Sequence, residues 1–161
     1  MLTDYMNDLI DLESIKIREA RMDDIRKIYS IEEKSFDERD LYPIELLKFY
    51  LNISPKTFLV AEISGEVIGY VIAVVRRGYI GHIVSIAVEP SFRQKGVGRM
   101  LMNKIEETLE SLGCIILRLE VSEKNFAARF LYLNLGFLEA YTIPNYYCNG
   151  CSAIVMFKLK K

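Results

Sequence analysis

Residues 91–101 read "SFRQKGVGRML", an unusual way to begin a helix. Arg93, Lys95 and Arg99 crowd its N-terminal end, while Glu106, Glu107 and Glu110 come later. A helix carries partial positive charge at its N-terminus and favours acids there, so for an empty site this order is the unfavourable one. Gly96 and Gly98 let a ligand approach backbone N–H groups that a helix start leaves without partners. Cations, glycines and free amides together suit several phosphate charges, as in a pyrophosphate; the alternative is a solvated basic patch. No G-x-x-x-x-G-K-[ST] run exists, so this is not a P-loop. Leu101 stands where a G-x-G-x-x-G fingerprint needs its third glycine, so the dinucleotide motif fails as well.

Other residues could move protons. In "CIILRLEV", residues 114–121, Ile115, Leu117 and Leu119 share one strand face, and Ile116, Arg118 and Glu120 the other. Glu120 therefore stands at the C-terminal end of a strand, where open α/β sheets place ligands. A plain ion pair with Arg118 is the competing reading. His82 is the only histidine; alternation puts it on one face with Val84, Ile86 and Val88, which suits a satisfied core histidine as well as a base. Tyr132 lies in an amphipathic pattern where a tyrosine usually packs. Cys148 and Cys151 form a C-x-x-C pair, but zinc needs two more ligands, and Cys114 and His82 fall on distant strands. Asn149-Gly150 reads as a tight turn carrying two adventitious thiols. Lys158, Lys160 and Lys161 read as a solvated tail.

The elements that must position these residues follow from periodicity. "SIKIREA" reads as a strand, and "MDDIRKIYSIEEKSF" as a helix with Ile25, Ile28 and Ile31 on one side. "LYPIELLKFYLNI" is a second helix, opened by Pro43 and closed before Pro55. "TFLVAEI" and "EVIGYVIAVV" form a hairpin about Ser64-Gly65, and "HIVSIAVEP" is a further strand. A helix over 96–112 carries Val97, Leu101, Ile105, Leu109 and Leu112 at helical spacing, with Gly113 as its stop. After the strand ending in Glu120 and Val121 comes "NFAARFLYLNLGF", a helix capped by Asn125 and ended by Gly136. "YTIPNYYCNGCSAIVMFKL" reads as a closing strand pair around a turn. Hairpins followed by strand–helix–strand–helix predict a mixed sheet with helices on both faces.

Composition narrows the classes. The chain has 161 residues, about half of them apolar, enough for one domain with a full core. A formal net charge of −1 gives no basic surface for nucleic acid. Residues 1–14 form an acidic extension without a cationic stretch before an apolar run, so no secretory signal is expected. No apolar run reaches the roughly 20 residues of a membrane span. Three cysteines, an odd count, fit a reducing cytoplasm better than a disulfide framework.

The R-x-x-G-x-G run from Arg93 to Gly98, preceded by "HIVSIAV" and followed by "LEVSEKNFAARFLYLNLGF", resembles the acyl-CoA-binding motif of the GNAT superfamily of N-acetyltransferases. The resemblance extends from about Ile15 to the end. Within that superfamily, "GHIVSIAV", "LEV", "LYLNLGF" and "NYYCNG" are similar to the protein N-terminal acetyltransferases of the ribosomal-protein-alanine and archaeal types. In "ERDLYP", Asp40 and Tyr42 stand where some members carry the glutamate and tyrosine of a Leu-Pro-Glu-Asn-Tyr stretch. The resemblance implies one GNAT domain over residues 1–161, of α/β (α+β) class, with a mixed, mostly antiparallel sheet. It also implies acetyl-CoA as cosubstrate and no metal. The acceptor would be a protein or peptide N-terminus, ribosomal proteins and nascent chains included, in the cytoplasm and away from nucleic acid and membrane. Acetyl-CoA would be held by Ile86, Ala87, Val88, Arg93, Gln94, Lys95, Gly96, Val97, Gly98, Arg99, Asn125 and Tyr132.

Such a transfer sets its own requirements. An α-amine has a pKa near 8, so a base or an ordered water must take its proton before it attacks the thioester. The resemblance gives that task to Glu120, with His82 as helper. Tyr132, a phenol with an ordinary pKa near 10, would protonate the departing thiolate. Tyr42, Tyr146 and Tyr147 would line a slot for the peptide backbone. In a strand, neighbouring Tyr146 and Tyr147 would point to opposite faces, one lining the slot and the other packing. Two other readings fit the same motifs: a GNAT enzyme for a small amine such as a polyamine or antibiotic, and an acyl-CoA-binding sensor that no longer catalyses.

Overall fold

Apolar residues at alternating and helical spacing build the sheet and its two covers as anticipated. The computed structural model describes residues 11–161, so most of the acidic extension, residues 1–10, lies outside the described residues. In chain order the elements are β1 (Lys16–Glu19), α1 (Ile25–Glu33), α2 (Ile44–Ile53), β2 (Phe58–Ile63), β3 (Glu66–Arg76) and β4 (Ile80–Val88). They continue as α3 (Val97–Ser111), β5 (Ile116–Ser122), α4 (Phe126–Asn134), β6 (Leu138–Ile143) and β7 (Ala153–Leu159). The first predicted helix is shorter than its pattern, because Met22–Asp24 form a 3-10 turn in which Asp24 accepts from the Arg21 amide and pairs with Arg18. The sheet runs β1-β2-β3-β4-β5-β7-β6, and only the β4–β5 pair is parallel.

Each face of the sheet buries its own core. On one side, Leu101, Met102, Ile105 and Leu109 of α3 and Tyr132 of α4 pack on Ile68, Val71, Leu117 and Leu119. On the other, Ile25, Ile28 and Ile31 of α1 and Leu47 and Leu51 of α2 pack on Val60, Tyr70 and Ile72. Gly81 lets α3 sit close to the parallel pair: a Cβ there would come within 2.8 Å of Leu109 and 2.9 Å of Leu117. Leu112, expected on the apolar stripe, is exposed, and Cys114 is buried beyond the helix end instead.

Two irregularities shape the middle of the sheet. In the first, Ile72 pairs with Ser85 and Ala73 with Ile83, so Val84 is an extra residue in β4, a β-bulge. The extra residue reverses the side-chain alternation. Ile83, Ile86 and Val88 pack toward α3, whereas Val84 and Ala87 pack toward α1 and α2. His82 therefore does not share a face with Ile86 and Val88, as unbroken alternation had predicted. In the second, β4 pairs with β5 only over Ile80–Ile83 against Ile116–Leu119. Beyond Ile83 the two strands part, β4 running on to Val88 and β5 staying with β7 to Ser122.

Two further expectations are corrected. Tyr146 and Tyr147 are not strand residues: β6 ends at Ile143, and Pro144 and Asn145, at φ 51°, carry the chain into a loop that lasts until Ala153. Lys158 and Lys160 are not a free tail. They pair with Glu106, a carboxylate only 5% exposed, at 2.6 and 3.3 Å, and so bind β7 to α3.

Candidate active site

Where β4 and β5 part, a cleft of about 420 Å³ opens through the sheet. Its walls are Ile83–Ile86 of β4, Leu119–Ser122 of β5, Asn125 and Tyr132 of α4, and Tyr42, Tyr146 and Tyr147 of the loops. The separate sequence signals for Glu120, Tyr132, Asn125 and the three loop tyrosines thus converge on one space.

Glu120 stands on the β5 wall. Its Oε2 lies 2.6 Å from His82 Nε2, and its Oε1 accepts from Arg118 Nε at 2.9 Å. Arg76 Nε donates to His82 Nδ1 at 2.9 Å. An imidazole nitrogen that accepts from Arg76 carries no proton, so the N–H that His82 offers to Glu120 is on Nε2. Burial pushes the Glu120 carboxyl up, but the hydrogen bonds from His82 and Arg118, with the Arg118 charge, outweigh it and hold the group below its ordinary range. Glu120 is an ionised, oriented acceptor. Sequence reading found both members of this pair but missed Arg76, which lies at the far end of a strand in an adjacent hairpin.

Tyr132 is buried against Phe137, with ring centroids 6.0 Å apart, and burial pushes its phenol up, so the proton stays on it. Asn125 caps α4 by accepting from the Ala128 amide at 3.1 Å, which points the start of that helix at the cleft.

The opposite wall comes from the loops. Tyr42 donates through its hydroxyl to the carbonyl of the bulge residue Val84 at 3.1 Å and stacks on Tyr50 at 5.8 Å. Asp40 accepts from the Cys148 amide at 3.0 Å, tying the α1–α2 connection to the β6–β7 loop. In that loop Gly150 N–H donates to Tyr147 O at 2.9 Å, which forms the turn expected at Asn149-Gly150. Tyr146 and Tyr147 meet edge to face at 5.0 Å, and both line the cleft. Glu32 of α1, which sequence reading passed over, lies on the same side. It is 1% exposed, and its carboxylate accepts from the Tyr42 amide at 3.0 Å and from the Tyr70 hydroxyl. Nothing in the pattern of α1 marks Glu32, because its partners come from β3 and the loop before α2.

The loop before α3 carries the glycines and cations from which an anion site was expected. Gln94 and Gly96 take left-handed φ values of 57° and 90°, and α3 begins with no acid in its first turn. Alternating backbone of this kind turns successive N–H groups into one concavity. Arg93 donates to Val88 O at 2.8 Å and to Ser35 Oγ at 2.9 Å, and so braces the loop against β4 and α1. Among the described residues no cluster of metal-ligating side chains comes together, and no helix is long and apolar enough to cross a membrane.

Known proteins resemble this chain in sequence and fold. The profile of the Acetyltransferase (GNAT) family matches residues 22–137. The chain is 34% identical over 145 residues to an uncharacterized N-acetyltransferase of Methanocaldococcus jannaschii, a match covering 89% of this chain and 91% of the relative. It is 33% identical over 153 residues to an N-alpha-acetyltransferase of Sulfolobus acidocaldarius, covering 88% and 90%. The crystal structure of Ard1 from Thermoplasma volcanium superposes with a TM-score of 0.87 at 28% identity, over 92% of this chain and 99% of that one.

Proposed function

The chain belongs to the Acetyltransferase (GNAT) family, and from that premise we propose that it moves the acetyl group of acetyl-CoA onto the α-amine of a protein or peptide. Residues 15–161 form the catalytic domain behind the short acidic extension. The amides of Gln94 to Arg99, with the side chains of Lys95 and Arg99, hold the pyrophosphate in the α3 concavity. The pantetheine runs to the cleft along Ile86, Ala87 and Val88 of β4, the stretch left without a partner strand on its β5 side, and passes Asn125. The acceptor enters from the other side, between Tyr42 and the Tyr146–Tyr147 pair.

The chemistry is direct attack in a ternary complex. Glu120 accepts an N–H hydrogen bond from the amine and aims its nitrogen at the thioester carbon. The C–N bond forms, the tetrahedral intermediate collapses, and the C–S bond breaks. The departing CoA thiolate takes a proton from Tyr132, whose buried phenol keeps it until then, and the proton that the nitrogen sheds as the amide forms passes through Glu120 to restore the phenol.

The observation that carries this reading is the loop wall itself. Three tyrosine rings, braced by Asp40 on Cys148 and by the Tyr42 hydroxyl on Val84, frame an entrance suited to a peptide backbone. Relatives named N-alpha-acetyltransferase support it. Acceptors of this kind include nascent chains and ribosomal proteins in the cytoplasm, a reducing compartment compatible with the free thiols of Cys114, Cys148 and Cys151. The test is CoA release with acetyl-CoA and a panel of peptides varied in their first two residues. Turnover on peptides with a free α-amine supports the reading. Turnover on polyamines alone replaces it with a small-amine acetyltransferase, and CoA binding without turnover makes the chain a sensor.

A further inference from the structure

Glu120 is well placed to orient an amine and poorly built to keep its proton. Both its oxygens already accept, from His82 at 2.6 Å and from Arg118 at 2.9 Å, and those donors favour the ionised form. A second carboxylate borders the same cleft with the opposite surroundings. Glu32 is buried to 1% exposure, and no ion pair reaches it among the described residues. The titratable groups that face it are Tyr42, from the connection before α2, and Tyr70, from β3. Tyr50 of α2 stands behind Tyr42, and Glu120 lies across the cleft. None of these is a cation.

Hydrogen bonds lead from Glu32 to the cleft. Glu32 Oε2 accepts from the Tyr70 hydroxyl, and Tyr70 in turn lies 3.0 Å from Ser85 Oγ. Ser85 follows the bulge residue Val84, and the bulge is what turns it toward Tyr70 on the α1 side, where the acceptor wall stands. We propose that Ser85, Tyr70 and Glu32 form a proton relay that carries the acceptor amine's proton out of the cleft and leaves it on Glu32.

The step balances within the chain. The protonated amine gives its proton to Ser85 Oγ, Ser85 passes its own proton to the Tyr70 oxygen, and Tyr70 passes its own to Glu32 Oε2. The amine becomes neutral and nucleophilic, the two hydroxyls are restored, and the carboxylate becomes a carboxylic acid. All the hydrogen bonds then point back toward the cleft. Glu32 Oε1 stays with the Tyr42 amide throughout, which holds the carboxyl in line. Burial raises the Glu32 carboxyl to about 7, so it can accept the proton in the complex and release it afterwards. Glu32 and Tyr70 act through Ser85 and touch no reacting atom.

This inference rests on the α-amine acetyltransferase reading, and the experiment separates the two. The kcat pH profile is measured with one α-amine peptide for the wild type and for Glu32→Gln, Tyr70→Phe and Ser85→Ala. If the relay operates, wild-type kcat rises with a midpoint near 7. Each variant loses that limb and on the order of 10²-fold in kcat at pH 7, with the acetyl-CoA KM unchanged. Pairing Ser85→Ala with Glu32→Gln costs no more than either alone, as for links of one chain. Infrared spectra of the free enzyme show a protonated carboxyl band that disappears near pH 7 and is missing in Glu32→Gln. Folded variants with wild-type kcat and profile overturn the relay, and so do losses that multiply or a spectrum without that band. A wild type that releases no CoA with any α-amine peptide instead overturns the acceptor assignment, and the relay with it; that result is read in the wild type alone.

Discussion

Nε2 of His82 donates its only proton to Glu120 at 2.6 Å, because Arg76 occupies Nδ1 at 2.9 Å. The histidine is therefore an orienting group for the carboxylate and holds no free lone pair for the amine. Glu120→Gln is expected to lower kcat about 10²-fold at pH 7, and by the same factor above the amine's own pKa near 8, because Glu120 aims the neutral amine and does not take the ammonium proton. His82→Ala is expected to cost about tenfold. The double variant should be no slower than Glu120→Gln alone, because His82 acts only through Glu120. A double loss equal to the product of the singles gives His82 a separate role.

The acetyl-CoA loop predicts a split in Michaelis constants. Gly96 sits at φ 90° at the mouth of the α3 concavity, where an aspartate adds both backbone strain and a negative charge. Gly96→Asp should raise the acetyl-CoA KM at least tenfold, which is about 1.4 kcal/mol, and leave the peptide KM within twofold. Arg93→Ala should weaken acetyl-CoA binding and also lower the melting temperature, since its guanidinium braces Val88 and Ser35. Calorimetric titration with CoA checks both.

The three loop tyrosines predict the reverse split. Tyr42→Phe, Tyr146→Phe and Tyr147→Phe preserve the rings and remove only hydroxyls. Acetyl-CoA affinity should stay unchanged, and at least one variant should raise the peptide KM by the worth of one hydrogen bond, about 0.5–1.5 kcal/mol. Tyr42 is the first candidate, because its hydroxyl also fixes the Val84 carbonyl in the bulge. Unchanged peptide KM in all three removes the slot.

Glu32 predicts an effect on stability that needs no substrate. Burial raises its carboxyl from 4.5 to about 7, so the folded protein holds this proton more tightly than the unfolded chain does. The sign follows: the stability is fully present below the unfolded value and is lost as pH rises through the folded one. Glu32→Gln escapes that loss. Its unfolding free energy should match the wild type near pH 4.5 and exceed it at pH 8 by up to about 3 kcal/mol. Urea unfolding of both proteins across that range checks it; a difference that does not change with pH contradicts a raised carboxyl.

Glu120 was legible because strand parity alone places it at the end of β5, and Asn125, Gly113 and the α3 core residues were legible from capping and helical spacing. The bulge at Val84 was not, since an extra residue in β4 carries no glycine or proline to announce it, and every parity argument beyond Val84 reverses there. Glu32, Tyr70 and Arg76 escaped because each acquires its role from a partner on another element, as in the contact of Tyr70 with Glu32, 38 residues away. Tyr146 and Tyr147 were placed in the right region but in the wrong backbone, because Pro144 and Asn145 end the strand two residues before them.

The acetyl group is expected to arrive on an α-amine, and mass spectrometry locates it. The enzyme is incubated with acetyl-CoA and peptides that carry both a free N-terminus and an internal lysine, and the fragments locate the added group. Acetyl is expected on the N-terminal nitrogen with lysine Nζ left free, and almost none on either nitrogen with Glu120→Gln at matched times. Acetyl groups on Nζ while the α-amine stays unmodified would contradict it.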